Sequence, residues 1–256
     1  MIFNPEYLRW AAQAPHIRAV KDRAYALLNL QEGRSVIDLG CGPAIDTVNF
    51  AKLVGVTGRV VGVDYDPAMV AEANRIAASR LDGINVRHVA GNASSLGFRD
   101  DEFDACFSDR LFQHVPWSEC LNIVREIRRV LKPRRSAVLI DSDWGTLSIA
   151  ASDAFLERRI VQEHTFGFAH AFAGRHLLGL MKTAGFQDVS AETFDLQLSI
   201  AALRFLLAPT LARCVGKGLI TISEAQLWYE GLEVADQYGL FFAHLSMVIA
   251  SGKNGA

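Results

Sequence analysis

The sequence predicts an α/β protein in which a mostly parallel sheet is covered by helices. Short apolar runs rich in β-formers alternate with amphipathic helical stretches, the pattern of strand–helix–strand units. The runs show little polar alternation, as expected of strands covered on both faces. Glycines and acids gather where the first two runs end, and open α/β sheets bind their ligands at that edge.

Five runs come first, at 36–39, 59–65, 84–90, 103–108 and 137–141. Ahead of them, Ile17, Val20, Leu27 and Leu28 share one face of a helix starting near Pro15. Asp66 and Pro67 form an N-cap and first-turn pair leading into Met69, Val70, Ala73, Ile76 and Ala77 at helical spacing. Pro116 opens a further helix with Leu121, Val124 and Leu131 toward the sheet, ended by Lys132 and Pro133. Residues 144–174 lack a strand pattern and carry Phe155, Phe166, Phe168 and Phe172, so they read as a helical insert. A helix over 175–185 ends at a glycine, and 189–198 alternates as a strand. A second helical insert spans 200–239, with Ser223 and Gln226 fitting a capping box, and 241–250 closes the chain as a strand that can pair antiparallel with 189–198.

There is no internal repeat and no low-complexity linker. The expectation is one domain over 1–256: an N-terminal helical cover (1–33), a ligand-binding half (34–142), helical inserts at 143–174 and 200–239 lying over the site, and a final strand and tail from 240. With half of its 256 residues hydrophobic, such a chain can bury a sizeable core. A net charge of -2 gives no reason to expect nucleic acid as a partner. Arg125, Arg128, Arg129, Lys132, Arg134 and Arg135 read as the wet face and C-terminal end of a helix. Cys41, Cys106, Cys120 and Cys214 have no paired spacing, which argues against a disulfide framework or a zinc cluster. Without a signal-like N-terminus or a membrane-spanning run, a cytoplasmic setting is expected.

The stretch "SVIDLGCGPAIDTVNF" (35–50) poses the functional question. Gly40 and Gly42 strip the backbone at the end of a strand, so that a ligand can lie against it. Asp64 ends the second strand, where a carboxylate accepts hydrogen bonds from both hydroxyls of a ribose. A dinucleotide would need a third glycine near position 45 and a helix N-terminus open to phosphate, but Ile45 and Asp46 stand there. A nucleoside without phosphates, carrying an amino-acid tail, tolerates that acid. A nicotinamide-dependent oxidoreductase is thereby disfavoured.

Taken in order, "VIDLGCGP", "VVGVDYDPAMV", "AGNASSLGF" and "FDACFSDRLFQHV" resemble the class I S-adenosylmethionine-dependent methyltransferases, and the order of segments resembles their small-molecule group typified by quinone-biosynthesis enzymes. The resemblance implies a Rossmann-like sheet of seven strands with the last antiparallel, and S-adenosyl-L-methionine as cofactor. It makes Asp38, Gly40 and Gly42, with Cys41 in the same loop, the floor under the methionine part. Asp64 holds the ribose, Tyr65 flanks the adenine, Asn92 and Ala93 meet the adenine's amino edge, and Ser108 lies beside the sulfonium. Asn92 stands where the family usually has Asp, and Ala44 where it usually has glycine.

Methyl transfer relies on alignment, with a base needed only for a protonated acceptor. His114 is the candidate base, and Arg110, His114 and Trp144 are candidate substrate contacts. The inserts are aromatic and aliphatic with few cations, so the partner expected is an apolar or aromatic small molecule. A protein that binds the cofactor without transferring its methyl would share the same floor. His164, His170 and His176 recur every six residues, a spacing that scatters them around a helix, so no metal site is read there. Asp109 with Asp141 or Asp143 is a lesser alternative, a magnesium site at adjacent strand ends.

Overall fold

The structure, a computed structural model, describes residues 12–81 and 83–255. Seven strands form one sheet: β1 (Ser35–Leu39), β2 (Arg59–Asp64), β3 (Asn85–Ala90), β4 (Phe103–Asp109), β5 (Leu131–Ile149), β6 (Gln187–Gln197) and β7 (Ala243–Lys253). Their order is β3-β2-β1-β4-β5-β7-β6. β1 pairs in parallel with β2 and β4, while β7 runs antiparallel to both of its neighbours. The expected sheet, with its antiparallel last strand, is what the chain forms.

Eight α-helices lie among the described residues: α1 (Pro15–Leu28), α2 (Ile45–Val54), α3 (Pro67–Arg80), α4 (Trp117–Val130), α5 (Ala154–Thr165), α6 (Ala173–Thr183), α7 (Ile200–Gly216) and α8 (Ile222–Gln237). α3 begins as its sequence indicates: Asp66 accepts from the Ala68 amide at 2.8 Å, and Pro67, which has no amide to leave unpaired, follows. One face of the sheet packs Ile37, Phe103 and Leu139 against Ile123 and Ile127 of α4 and Leu177 of α6. On the other, Val36, Val60 and Phe107 meet Phe50 of α2, Val20 and Ala24 of α1, and Ile76 of α3. Phe50 and Phe107 meet edge to face, 5.0 Å apart, and a buried ring of this kind contributes about 1.5–3 kcal/mol. A third cluster joins Trp144, Leu147 and Ile149 at the far end of β5 to α5, α7 and α8 through Ile160, Leu203, Leu207 and Trp228.

Two local expectations are corrected. The fifth strand does not stop at Asp141: β5 continues through Trp144 to Ile149, because β7 keeps pairing with it past an irregularity between Asp143 and Ser148. Helix in that insert therefore starts only at Ala154. The capping box of α8 is Thr221 with Glu224, two residues before the expected pair. Thr221 has the extended backbone a cap needs (φ −82, ψ 163), whereas Ser223 already lies inside the helix. No helix among the described residues is long and apolar enough to cross a membrane.

Candidate active site

A cleft of about 820 Å³ opens at the carboxyl ends of β1, β2 and β4. Its floor is the turn after β1, where Gly40 (φ +72) and Gly42 (φ +49) occupy left-handed backbone that glycine adopts without strain. The amides of Gly40 and Cys41 both donate to the Val63 carbonyl, at 2.8 and 3.1 Å, which ties the turn to β2. Ala44 (φ +64) caps α2 in the same left-handed region; this is why glycine is the more usual residue there, since alanine costs on the order of 1–2 kcal/mol in this conformation.

Asp64 is held at the rim. One carboxylate oxygen accepts from the Gly42 amide (2.8 Å) and the other from the Asp66 amide (3.0 Å), leaving lone pairs on both for hydroxyl donors. Tyr65, 82 % exposed, stands beside it. Asn92 and Ala93 form the next stretch of wall. The Asn92 oxygen already accepts from the amide and hydroxyl of Ser94, both at 2.9 Å, so the acceptor expected to meet an adenine amino group is engaged within its own turn.

Gly40, Cys41, Gly42, Asp64, Tyr65, Asn92, Ala93, Arg110, His114 and Trp144 all line the cleft. Asp38 and Ser108 stand behind its wall, both buried, and the Asp38 Oδ2 and Ser108 Oγ have no hydrogen-bond partner. Burial pushes the Asp38 carboxyl well above the usual range, with Asp46, Asp109 and Asp64 adding to the effect against Lys21. A carboxyl buried among acids attracts positive charge. A β-carbon built on Gly42 would meet nothing within 4 Å, so that side of the turn is open space. Both observations fit a ligand carrying cationic groups and lying against bare backbone.

An ion cluster braces this floor. Lys21 of α1 places its ammonium 2.6 and 2.7 Å from the Asp46 carboxylate and 3.0 Å from Asp109. Burial works against the Lys21 charge, but Asp109 and Asp46 outweigh it and hold the ammonium above its usual value. Burial likewise opposes the Asp109 charge, which Arg110 and Lys21 hold well below the usual carboxylate range. Tyr25 also donates to Asp46. Asp46 is therefore compensated rather than a bare charge at the start of α2. Nothing in the local sequence announces this cluster, because its members are 25 and 88 positions apart and only the packing of α1 joins them.

On the acceptor side, Trp144 stacks on Phe168 (centroids 4.6 Å apart, 13° between planes) and donates its indole N–H to Gln113 Oε1 at 2.7 Å. Gln113 Nε2 lies 3.1 Å from His114 Nε2. Leu196, Leu198, Leu206, Leu245 and Met247 supply apolar wall. The acids of the magnesium alternative have other partners: Asp143 pairs with Arg175 (2.5 and 2.7 Å), and Asp141 accepts the Gln113 and Ser142 amides. Two of the recurring histidines do meet, correcting the expectation that they scatter. His170 lies between α5 and α6 rather than on one continuous helix, and its ring stacks on His176 at 5.1 Å.

Residues 36–134 match the methyltransferase domain family. A demethylmenaquinone methyltransferase of Halalkalibacterium halodurans is 35 % identical over 66 % of this chain and 74 % of its own length. An uncharacterized 37.1 kDa protein of transposon TN4556 from Streptomyces fradiae is 29 % identical over 95 % of this chain and 69 % of its own. In fold, the chain is similar to phosphoethanolamine N-methyltransferase 2 of Haemonchus contortus in complex with S-adenosyl-L-methionine (TM-score 0.56, 19 % identity, 91 % of this chain and 52 % of that one). The chain belongs to the S-adenosylmethionine-dependent methyltransferases. S-adenosylmethionine is its cofactor, and demethylmenaquinone methyltransferases are among its relatives.

Proposed function

We propose that the protein, acting as one domain in the cytoplasm, methylates an apolar, aromatic small molecule of quinone-like shape. The observation that carries the reading is the unpartnered Asp38 Oδ2 buried behind the open Gly40–Gly42 turn, next to a rim carboxylate at Asp64. Gly40, Cys41 and Gly42 would carry the methionine part of the cofactor, with Asp38 and the carbonyl of Ser108 near its cationic groups. Asp64 would accept from the ribose hydroxyls, and Tyr65, Asn92 and Ala93 would border the adenine. When bound, the cofactor supplies an electrophilic methyl group on a sulfonium. The acceptor would lie among Trp144, Leu198, Leu206 and Met247, with Arg110 and His114 at its polar edge, so that its nucleophilic atom faces the methyl in line with the breaking carbon–sulfur bond. Aromatic and aliphatic lining with few cations supports an apolar acceptor, and the demethylmenaquinone methyltransferase relative supports a quinone-like one.

Calorimetric titration with S-adenosylmethionine, S-adenosylhomocysteine and NADH tests the cofactor site. Both sulfur nucleosides should bind and NADH should not. Asp64→Ala should weaken binding about 10- to 100-fold, the scale of a lost charge-assisted hydrogen bond. NADH binding, or undiminished affinity in the variant, would overturn the placement. The acceptor is tested by incubation with demethylated naphthoquinols and with unrelated polar amines, reading methyl incorporation by mass; transfer only to the amines would refute the apolar reading.

A further inference from the structure

Gln113 was not singled out by the sequence, yet it joins the two cleft residues whose chemistry matters most. The indole N–H of Trp144 can only donate, so the Gln113 atom facing it at 2.7 Å must be the carbonyl oxygen Oε1. The amide nitrogen then faces the other way, with the Arg110 carbonyl at 3.5 Å and His114 Nε2 at 3.1 Å. An amide nitrogen can only donate, so His114 Nε2 must accept. Backbone contacts keep the residue in place: Asp141 accepts from the Gln113 amide at 3.2 Å, and the His170 amide donates to the Gln113 carbonyl at 3.1 Å. Turning the side chain over would set two donors against each other at Trp144 and two acceptors at the Arg110 carbonyl.

We infer that Gln113 is a positioning residue that holds His114 as the neutral imidazole with its proton on Nδ1, so that His114 is not the base that deprotonates the acceptor. Protonating Nε2 would put an N–H against the Gln113 amide and break the bond. Among the described residues, the charged groups nearby do not reverse this. Arg110 disfavours a cationic ring, Asp109 is neutralised by Lys21 and Arg110, the Asp141 oxygens are turned to backbone amides, and Trp144 and Phe168 are uncharged. In agreement, burial of the ring holds the His114 pKa down at about 4.

The inference rests on the methyl-transfer reading of the cleft, and it narrows the acceptor class. Without a histidine base, an acceptor that must lose a proton before attack gives it to water or arrives already ionised. That suits an acceptor acidic enough to ionise in solution near neutral pH, such as a stabilised carbon acid or an activated phenol.

Protein carrying ¹⁵N-labelled histidine, with S-adenosylhomocysteine added, tests this by nitrogen NMR across pH, with His114→Gln identifying the His114 signals. The expected result is an Nδ1–H tautomer that titrates below pH 5. Gln113→Glu preserves an acceptor for Trp144 but turns the other arm into an acceptor too. It should move the proton to Nε2 and raise the His114 midpoint by more than one pH unit. Gln113→Met, which removes the donor and keeps the ring buried, should let the Nε2–H tautomer appear while the midpoint stays low. An Nε2–H tautomer in the wild type, a wild-type midpoint near 6.5, or a Gln113→Glu protein that binds S-adenosylhomocysteine normally with tautomer and midpoint unchanged would each overturn the inference. If neither glutamine variant folds, the wild-type tautomer alone decides. Failure of the wild type to bind S-adenosylhomocysteine would refute the cofactor reading and leave the tautomer result standing on its own.

Discussion

Asp38 shows how one buried atom can carry a functional prediction. Its carboxyl lies among Asp46, Asp109 and Asp64 and is pushed well above the usual range, so it favours the neutral form while the cleft holds no cation. A sulfonium and an ammonium arriving nearby favour the ionised form. The bound state therefore holds fewer protons than the free state, and affinity for S-adenosylmethionine should rise with pH through the Asp38 titration. Calorimetry in buffers of different ionisation enthalpy should show proton release on binding, and Asp38→Asn should abolish it; equal heats in all buffers would contradict the prediction. Gly62 offers a test of packing instead. A β-carbon there would lie 2.4 Å from the His88 ring and 2.8 Å from the Cys41 sulfur, both buried. Gly62→Ala should therefore cost about 1–3 kcal/mol, as overpacked sites do, and lower the urea midpoint without changing the slope.

Among the elements, α1 does more than cover the sheet. Its Lys21 is the cation that makes Asp46 and Asp109 tolerable side by side, and thereby fixes the start of α2 and the end of β4 against the cofactor floor. Replacing Lys21 by Met should cost about 3–5 kcal/mol, since it leaves buried carboxylates uncompensated, and should weaken cofactor binding with it. Adding Asp46→Asn to Lys21→Met should recover part of the stability, because one of the two carboxylates that lost Lys21 is then uncharged. Denaturant titration of the single and double variants decides this; a double variant no better than the single one would refute the coupling. β5 is the second element whose extent matters, since only its continuation to Ile149 puts Trp144 in the cleft wall.

Across the whole molecule, two buried histidines couple stability to pH from different layers. His88 of β3 donates from Nδ1 to the Asn74 amide oxygen and bonds Thr47 through Nε2, and His164 of α5 bonds Thr210 of α7. Burial lowers both to about 4 from 6.5. Because the folded values lie below the unfolded ones, the stability they contribute is complete above pH 6.5 and is lost as pH falls toward 4. For the fully buried His164 the loss is on the order of 3 kcal/mol. Asp38 and Asp141 are shifted upward and bend the curve in the opposite sense, so the test is a difference. The stability gap between wild type and His164→Phe should shrink as pH falls from 6.5 to 4, and a gap independent of pH would rule the coupling out.

The sheet and the bare turn at Gly40 and Gly42 were legible in the chain because each rests on local rules: apolar period, turn residues, and an acid at a strand end; the direction of the last strand came with the family resemblance. Asp38, Asp64 and the cleft-lining Tyr65 followed from motif order, which is also a local signal. The Thr221 cap was missed by two residues, since both Thr221 and Ser223 carry the right chemistry and only the backbone angles choose between them. The continuation of β5 was missed because a partner strand over 90 residues later extends it. Lys21 with Asp46 and Asp109, and Gln113 between Trp144 and His114, obey no spacing at all: a buried charge or amide takes its partners from whatever the packed elements bring within 3 Å. The family and cofactor could be read along the chain because backbone geometry recurs with sequence, whereas the protonation of the site came from contacts made only once the helices had closed on the sheet.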